Sequence, residues 1–314
     1  MLAAPALVRA MREALASVLA PWLDSELGVR LVSITPVGGG CSHACWCLQL
    51  ADGSRLFAKT DSRARLPVLA AERAGLEALA PWAAAPLQLP RPLALAAVAE
   101  HAVLVLSWLD LEESGGGPTG WRALGRGLAD LHRSSRAGNG GRGYGFECDN
   151  FIGASPQING WSSDWPDFFA AARLGPQFAS AARQGQALRG AELLLEQLPD
   201  WLEHPSEPVL VHGDLWRGNA ALVRGGGAAL FDPACHWADR EVDLAMARLF
   251  GGFPAGFFEA YEQAWPLPAG AERRVPLYNL YHLLNHANLF GGGYLQQAQD
   301  CLTTLLTTLL ASRH

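Results

Sequence analysis

Lysine is scarce in this sequence, and there is no surplus of positive charge. Its 24 basic residues face 30 acidic ones, for a net charge of −6. That excludes nucleic-acid binding as the main function, because phosphate contacts need clustered Lys and Arg. Long apolar runs are also missing. None approaches the roughly 18 residues of a membrane span, and Arg9, Arg12 and Glu13 interrupt the N-terminal segment. Neither a transmembrane helix nor a signal peptide is expected. Cysteine is present without a metal pattern. The six thiols, Cys41, Cys45, Cys47, Cys148, Cys235 and Cys301, include no C-x-x-C pair, and the first three have no matching downstream ligand pair, which argues against zinc. A chain of 314 residues that is 50% apolar can build its own core without a disulfide framework. Taken together, these absences predict a soluble, reduced, cytoplasmic protein with no nucleic-acid or membrane partner.

The elements that are present fall into two unequal parts. Apolar residues at helical spacing fill 6–20, and Pro21 closes that pattern. Residues 29–60 read as three antiparallel strands. Gly38-Gly39-Gly40 separates the first two, and the two-residue hairpin signal Asp52-Gly53 separates the last two. A helix is predicted over 66–80. Pro86, Pro90 and Pro92 then break the chain before a buried strand at 103–109. A Gly-rich connector follows, then a helix at 121–133, a loop at 134–165 and two helical stretches over 166–203. Short strands at 208–211 and 228–231 flank a polar loop, and helical patterns cover 241–250, 256–265 and 271–312. The order is small and β-rich first (1–107), large and α-rich second (108–314).

The chemistry concentrates in His212-Gly213-Asp214-Leu215-Trp216-Arg217-Gly218-Asn219 and in Asp232. An Asp in a loop just after a short strand can accept a proton from a substrate hydroxyl. An Asn five residues on can offer its amide oxygen to Mg²⁺. A second Asp at the end of the next strand can bridge that metal to phosphate oxygens. This order of base, Asn and metal-binding Asp is the template of phosphoryl transfer. Lys59 ends the apolar strand Leu56-Phe57-Ala58-Lys59, where it can contact phosphates and pair with a Glu of the next helix; Glu72 is the better-placed partner and Glu77 the alternative. Gly38, Gly39 and Gly40 can bring backbone amides close to phosphate, although no Walker sequence follows. Cys41 adjoins that turn and is either a reactive thiol or a small residue that merely fits. His212 reads as structural, His101, His132, His236 and His286 as surface or core, and Trp216 as a candidate wall of the substrate pocket.

Three blocks, HGDLWRGN, FDPACHWADREVDLAMARLFGGF and LYNLYHLLNHANLFGGGY, resemble the fructosamine/ketosamine kinases of the aminoglycoside-phosphotransferase and protein-kinase-like superfamily. GGGCSHACW followed by FAK is similar to that family's phosphate loop and lysine. The resemblance runs from about residue 10 to the C-terminus. It implies an α+β, two-lobed, protein-kinase-like fold with ATP and Mg²⁺ between the lobes. It implies Asp214 as catalytic base, Asn219 and Asp232 as metal ligands, and Lys59 with Glu72 at the ATP phosphates. Leu104 to Asp110, including Leu106, Trp108 and Leu109, resembles the adenine-binding hinge. Trp216 and the segment Asp239 to Glu241 fall where the family shapes its sugar end. The implied reaction is phosphorylation of the third-carbon hydroxyl of a free or protein-bound ketosamine, which reverses glycation. Cys41 is a redox candidate, so the chain is expected as a monomer or a redox-linked dimer. Gly40-Cys41-Ser42-His43 departs from the family's usual loop tetrad, and Arg217 stands where Ser or Gly is commoner. The alternatives are a related kinase acting on an aminoglycoside, choline or homoserine, and a non-catalytic ATP-binding scaffold.

Overall fold

The computed structural model describes residues 4–38, 43–112 and 117–312. Helix α1 (Ala4–Leu27) runs through Pro21 instead of stopping there. Proline removes one helical hydrogen bond. Downstream of that break Leu23 is still fully buried, as Leu15 and Leu19 are upstream, and all three pack on Ile34, Leu48, Ala58 and Val103 of the sheet beneath. Burial of that stripe outweighs the local defect.

Strands β1 (Leu31–Pro36), β2 (Ala44–Leu50) and β3 (Arg55–Ser62) follow as expected. The β2–β3 turn has Gly53 at φ +86° and a 2.9 Å bond from the Ser54 amide to Asp52 Oδ1. Helix α2 (Leu66–Leu79) comes next, then β4 (Leu87–Gln88), β5 (Pro92–Val98) and β6 (His101–Ser107). Strand β5 lies in the segment where Pro86, Pro90 and Pro92 predict a break. Pro92 takes its first position at the sheet edge, where the lack of an N–H costs nothing. The five strands form an antiparallel sheet in the order β1-β2-β3-β6-β5. Helix α1 covers one face. Helix α2 covers part of the other, with Leu69 and Leu76 against Ala102, Leu104 and Leu106. Lys59 is thereby held in the central strand, opposite Cys45 on one side and Leu104 on the other.

The remainder is mainly helical. Helix α3 (Pro118–Ser135) leads into the stretch read as loop, which contains a small hairpin, β7 (Asn150–Ile152) and β8 (Ser155–Gln157). Four short helices follow: α4 (Trp165–Phe169), α5 (Gly175–Arg183), α6 (Ala191–Glu196) and α7 (Leu198–Trp201). Then come β9 (Val209–Val211), β10 (Ala220–Leu222), β11 (Ala228–Leu230) and β12 (His236–Ala238). Helices α8 (Glu241–Leu249), α9 (Ala255–Ala264), α10 (Ala271–Phe290) and α11 (Gly293–Ser312) complete the chain. The single helical run expected at 271–312 is divided at Gly291 and Gly292, whose φ angles of +64° and +60° end α10.

One strand crosses the expected division. β4 pairs in parallel with β11, Leu87 opposite Ala228, and Leu87 packs in the core that contains Leu124 and Leu128 of α3. The first part of the chain is thus stitched into the second ahead of the 107/108 position. Among the described residues, no helix is long and apolar enough to cross a membrane.

Candidate active site

Strand β9 is fully apolar and buried, and it delivers the polar loop that follows it to the floor of the cleft. The loop turns at Gly213, at φ +80°, where a Cβ would lie 2.1 Å from the Ala234 carbonyl oxygen, so only glycine fits. Both ring nitrogens of His212 are used on backbone: Nε2 bonds the Phe231 carbonyl at 3.0 Å, and Nδ1 accepts from the Asp214 amide at 3.3 Å. Burial holds this ring below the usual histidine range, which leaves it neutral and structural. Asp243 of α8, fully buried, accepts from the His212 amide at 2.7 Å and the Gly213 amide at 2.8 Å. Its carboxylate also meets His132 Nε2 at 3.1 Å, and His132 Nδ1 meets the Tyr261 hydroxyl at 2.9 Å. Burial pushes the Asp243 carboxyl up, but the His132 bond and charge outweigh it, and the group lies below its ordinary value.

Asp214 is the one loop carboxylate facing the cleft. Burial pushes its pKa up to about 7, against the pull of its bond from Asn219. A carboxylate poised near neutrality suits a general base. Asn219 Nδ2 donates to the Asp214 carbonyl at 2.9 Å and to Asp214 Oδ2 at 3.1 Å. Its amide oxygen is left as the atom available to a cation. Asp232 follows β11 in the left-handed region, at φ +58°, a conformation that Asp tolerates better than most residues. Lys59, the only lysine in the chain, bonds Glu72 Oε1 at 2.8 Å and also pairs with Asp232 Oδ1. Asp232 Oδ2 and the Asn219 amide oxygen are hard donors of the kind Mg²⁺ takes, usually alongside waters and phosphate oxygens. The residues present therefore fit that ion. Glu77, the alternative partner, instead pairs with Arg73 on the exposed side of α2.

A cavity of about 380 Å³ joins these groups. Lys59, Glu72, Asp214, Trp216, Asn219 and Asp232 all line it. Its far end is walled by Phe250, His286, Phe290 and Tyr294, whose rings form one cluster around His286 with centroid distances of 4.9 Å to Phe250, 5.0 Å to Tyr294 and 5.6 Å to Phe290. His282 and Asn285 of α10 and Asn150 of β7 also line it. The blocks that carry the family resemblance contain Phe250, His282, Asn285, His286, Phe290 and Tyr294, but no site role for them is read from the sequence, and His286, read as surface or core, lies inside this end. The available signal was the i, i+4 spacing of His282, His286 and Phe290, which places all three on one side of α10.

The other expected residues lie elsewhere. Gly38 is exposed at the end of β1, while Gly39, Gly40 and Cys41 fall outside the described residues. Leu106, Trp108 and Leu109 do not line this cavity. Leu106 is buried against α2, and Trp108 stacks under the Arg55 guanidinium, 4.7 Å away, and bonds Asp110. Arg217 turns away as well, its guanidinium 4.5 Å from the Trp121 ring centre. The segment Asp239 to Glu241, expected near the sugar end, is instead buried in the helical part. Asp239 meets His204 Nε2 at 2.5 Å and accepts from the Tyr278 hydroxyl at 2.7 Å, and Glu241 accepts two bonds from Arg274. Pairing of this kind is what makes burying an acid tolerable; these bonds tie His204 and the start of α8 to Arg274 and Tyr278 of α10. Burial pushes the thiol of Cys45 up, against the pull of the nearby Lys59 charge, which disfavours the thiolate.

Comparison with known proteins matches the geometry. The sequence model of the family described as fructosamine kinase matches residues 14–308. The chain is 42% identical to a protein of Synechocystis named "probable ketoamine kinase", across 88% of this chain and 91% of that one. It is 36% identical to the chloroplastic protein-ribulosamine 3-kinase of Arabidopsis thaliana, across 92% and 88%. A crystal structure of a candidate fructosamine-3-kinase from Haemophilus somnus superposes with a TM-score of 0.81 at 25% identity, covering 92% of this chain and 97% of that one.

Proposed function

The chain belongs to the fructosamine kinase family, and from that membership we propose that it transfers the γ-phosphate of ATP to the third-carbon hydroxyl of a ketosamine, a ketose sugar joined to an amine. It has the protein-kinase-like α+β fold and is a phosphotransferase with an alcohol acceptor. The observation that carries the residue assignment is the meeting of Asp214, Asn219, Asp232, Lys59 and Glu72 in one cleft.

The lobes divide near 107/108, with residues 87–88 lent to the larger one. ATP lies between them, with its phosphates at the Lys59 end of the cavity; Leu106, Trp108 and Leu109 lie outside that cavity, so they could meet the base only at its margin. Lys59, fixed by Glu72, contacts the α- and β-phosphates. Asn219 and Asp232 are the residues that would hold Mg²⁺, which when bound neutralises charge on the phosphoryl group. The acceptor hydroxyl sits at Asp214, which takes its proton as the oxygen attacks the γ-phosphorus in line with the leaving ADP oxygen. Trp216 offers an apolar ring face beside that hydroxyl, and the cluster of Phe250, His286, Phe290 and Tyr294 takes the amine-bearing arm. Because the Asp243 carboxylate holds the amides of His212 and Gly213, Asp214 needs little reorganisation to act.

The names of the relatives favour a ketosamine over an aminoglycoside, choline or homoserine. A coupled assay for ADP with fructose-lysine, ribulose-lysine, kanamycin, choline and homoserine separates the readings. Turnover confined to the two ketosamines is the expected result, and turnover of another alcohol alone would transfer the assignment to that class.

A further inference from the structure

The register of the β2–β3 hairpin brings one more group to the phosphate half of the cleft. Cys45 stands opposite Lys59 and Ala44 opposite Thr60. The same register carried one step further sets His43 opposite Asp61, and the bond is present: His43 Nδ1 donates to Asp61 Oδ2 at 2.9 Å. Alternation along the strands puts His43, Cys45, Lys59 and Asp61 on one face. That face looks into the cavity, which His43, Cys45 and Lys59 all line. Two residues along a strand is about 7 Å, so a ligand of several phosphates can touch Lys59 and His43 together.

Charge in the cavity gives the reason to look for such a group. Among its described lining residues there is one lysine and no arginine, against the carboxylates of Glu72, Asp214 and Asp232. Lys59 is already shared by two of those carboxylates. A triphosphate carries several negative charges and is normally met by several charge-assisted donors. Two other imidazoles line the cavity on α10. Burial pushes His282 down to about 3, so it stays neutral, and His286 spends Nδ1 on the His282 carbonyl inside the aromatic cluster. His43 differs from both. Its Nδ1 is fixed by the Asp61 carboxylate, which sets the ring orientation; when the ring carries both protons, Nε2–H is the donor left for a phosphate oxygen.

We propose that His43, oriented by Asp61, is a nucleotide-phosphate ligand that contacts the phosphates beyond the α-phosphate. The proposal rests on the kinase reading above. It goes beyond that reading by making the departure at Gly40-Cys41-Ser42-His43 a working part of this chain's phosphate site.

Calorimetric titration of the full chain with Mg²⁺ and ATP, ADP or AMP tests it. For His43→Ala and His43→Asn, ATP affinity falls roughly tenfold, as expected for one lost charge-assisted bond. ADP affinity falls less and AMP affinity stays at the wild-type value. Asp61→Asn shifts the same series in the same direction by a smaller factor. An equal loss for all three nucleotides, or no loss, overturns the proposal and leaves His43 as a clasp between strands. Wild-type protein that binds none of the three contradicts the kinase reading instead. Should the substitutions prevent folding, wild-type protein can be modified with diethyl pyrocarbonate and read at His43 by peptide mass spectrometry. Protection by ATP and ADP but not AMP is expected, and identical reactivity with all three overturns the proposal.

Discussion

The two ends of the cleft are built by different means. At the phosphate end, a strand, a helix and two loops each contribute one or two polar side chains, and those side chains bond one another: Lys59 to Glu72 and Asp232, Asn219 to Asp214. At the acceptor end, α8, α10, α11 and the segments around them contribute mostly rings, packed at tilted angles around His286. The first end fixes charges in space, which phosphoryl transfer requires of any member of the fold. The second shapes an apolar space, and shape decides which molecule enters. Damage to the first should therefore remove the reaction for every acceptor, whereas damage to the second should redistribute activity among acceptors.

The largest effect is expected for Asp214→Asn. Loss of the general base lowers kcat about 1,000-fold for every acceptor alike, with ATP affinity close to wild type by calorimetry. Retention of more than about a tenth of wild-type turnover would remove Asp214 from the chemistry. Lys59→Met comes next, with about a 100-fold loss in kcat/KM for ATP and no change in KM for the ketosamine. It also strands Glu72, which is buried, and costs about 3 kcal/mol of stability in urea. Adding Glu72→Leu restores stability but not activity, and recovery of both would mean the pair is only structural. Because Lys59 is the only lysine, an amine-reactive ATP analogue should attach at one side chain, which a labelled peptide containing residue 59, protected by excess ATP, would show.

The acceptor end should respond more gently. Phe290→Ala or Tyr294→Ala changes the ratio of kcat/KM between long-armed and short-armed ketosamines by about tenfold and leaves KM for ATP alone. A parallel loss for all acceptors would show that the ring cluster supports the fold and does not select the substrate. The smallest effect belongs to Arg217→Ser. Its guanidinium packs on Trp121 outside the cavity, so kinetic constants stay within about twofold and stability drops by about 1 kcal/mol. A changed acceptor preference would place Arg217 in the pocket after all.

The same contrast explains what could be read in the sequence. The phosphate end was legible because its chemistry demands particular residue types at short spacings, as in Asp214, Asn219 and Asp232, and because the Asp52-Gly53 turn and a strand-borne Lys59 fix its sheet. Glu72 followed from helical position, and its competitor Glu77 was separated from it only by the fold, which points it at Arg73. The acceptor end was not legible. Rings on α10 and α11 carry the same apolar signature whether they face a core or a cleft, so His286 read as bulk. Asp239 and Glu241 misled in the opposite direction: the family resemblance puts them at the sugar end, and only the fold shows His204, Tyr278 and Arg274 enclosing them. Edge strand β5 was hidden by prolines, and β4 by its partner lying in the other lobe.

The most direct test of the proposed reaction is the position of the new phosphate. Purified protein incubated with Mg²⁺, ATP and ¹³C-labelled fructose-lysine or ribulose-lysine can be followed by ³¹P and ¹³C NMR. Phosphate on the third-carbon hydroxyl, absent with Asp214→Asn, is the predicted result. Transfer to a different hydroxyl, or none to either ketosamine from protein that binds Mg²⁺ and ATP, would contradict it.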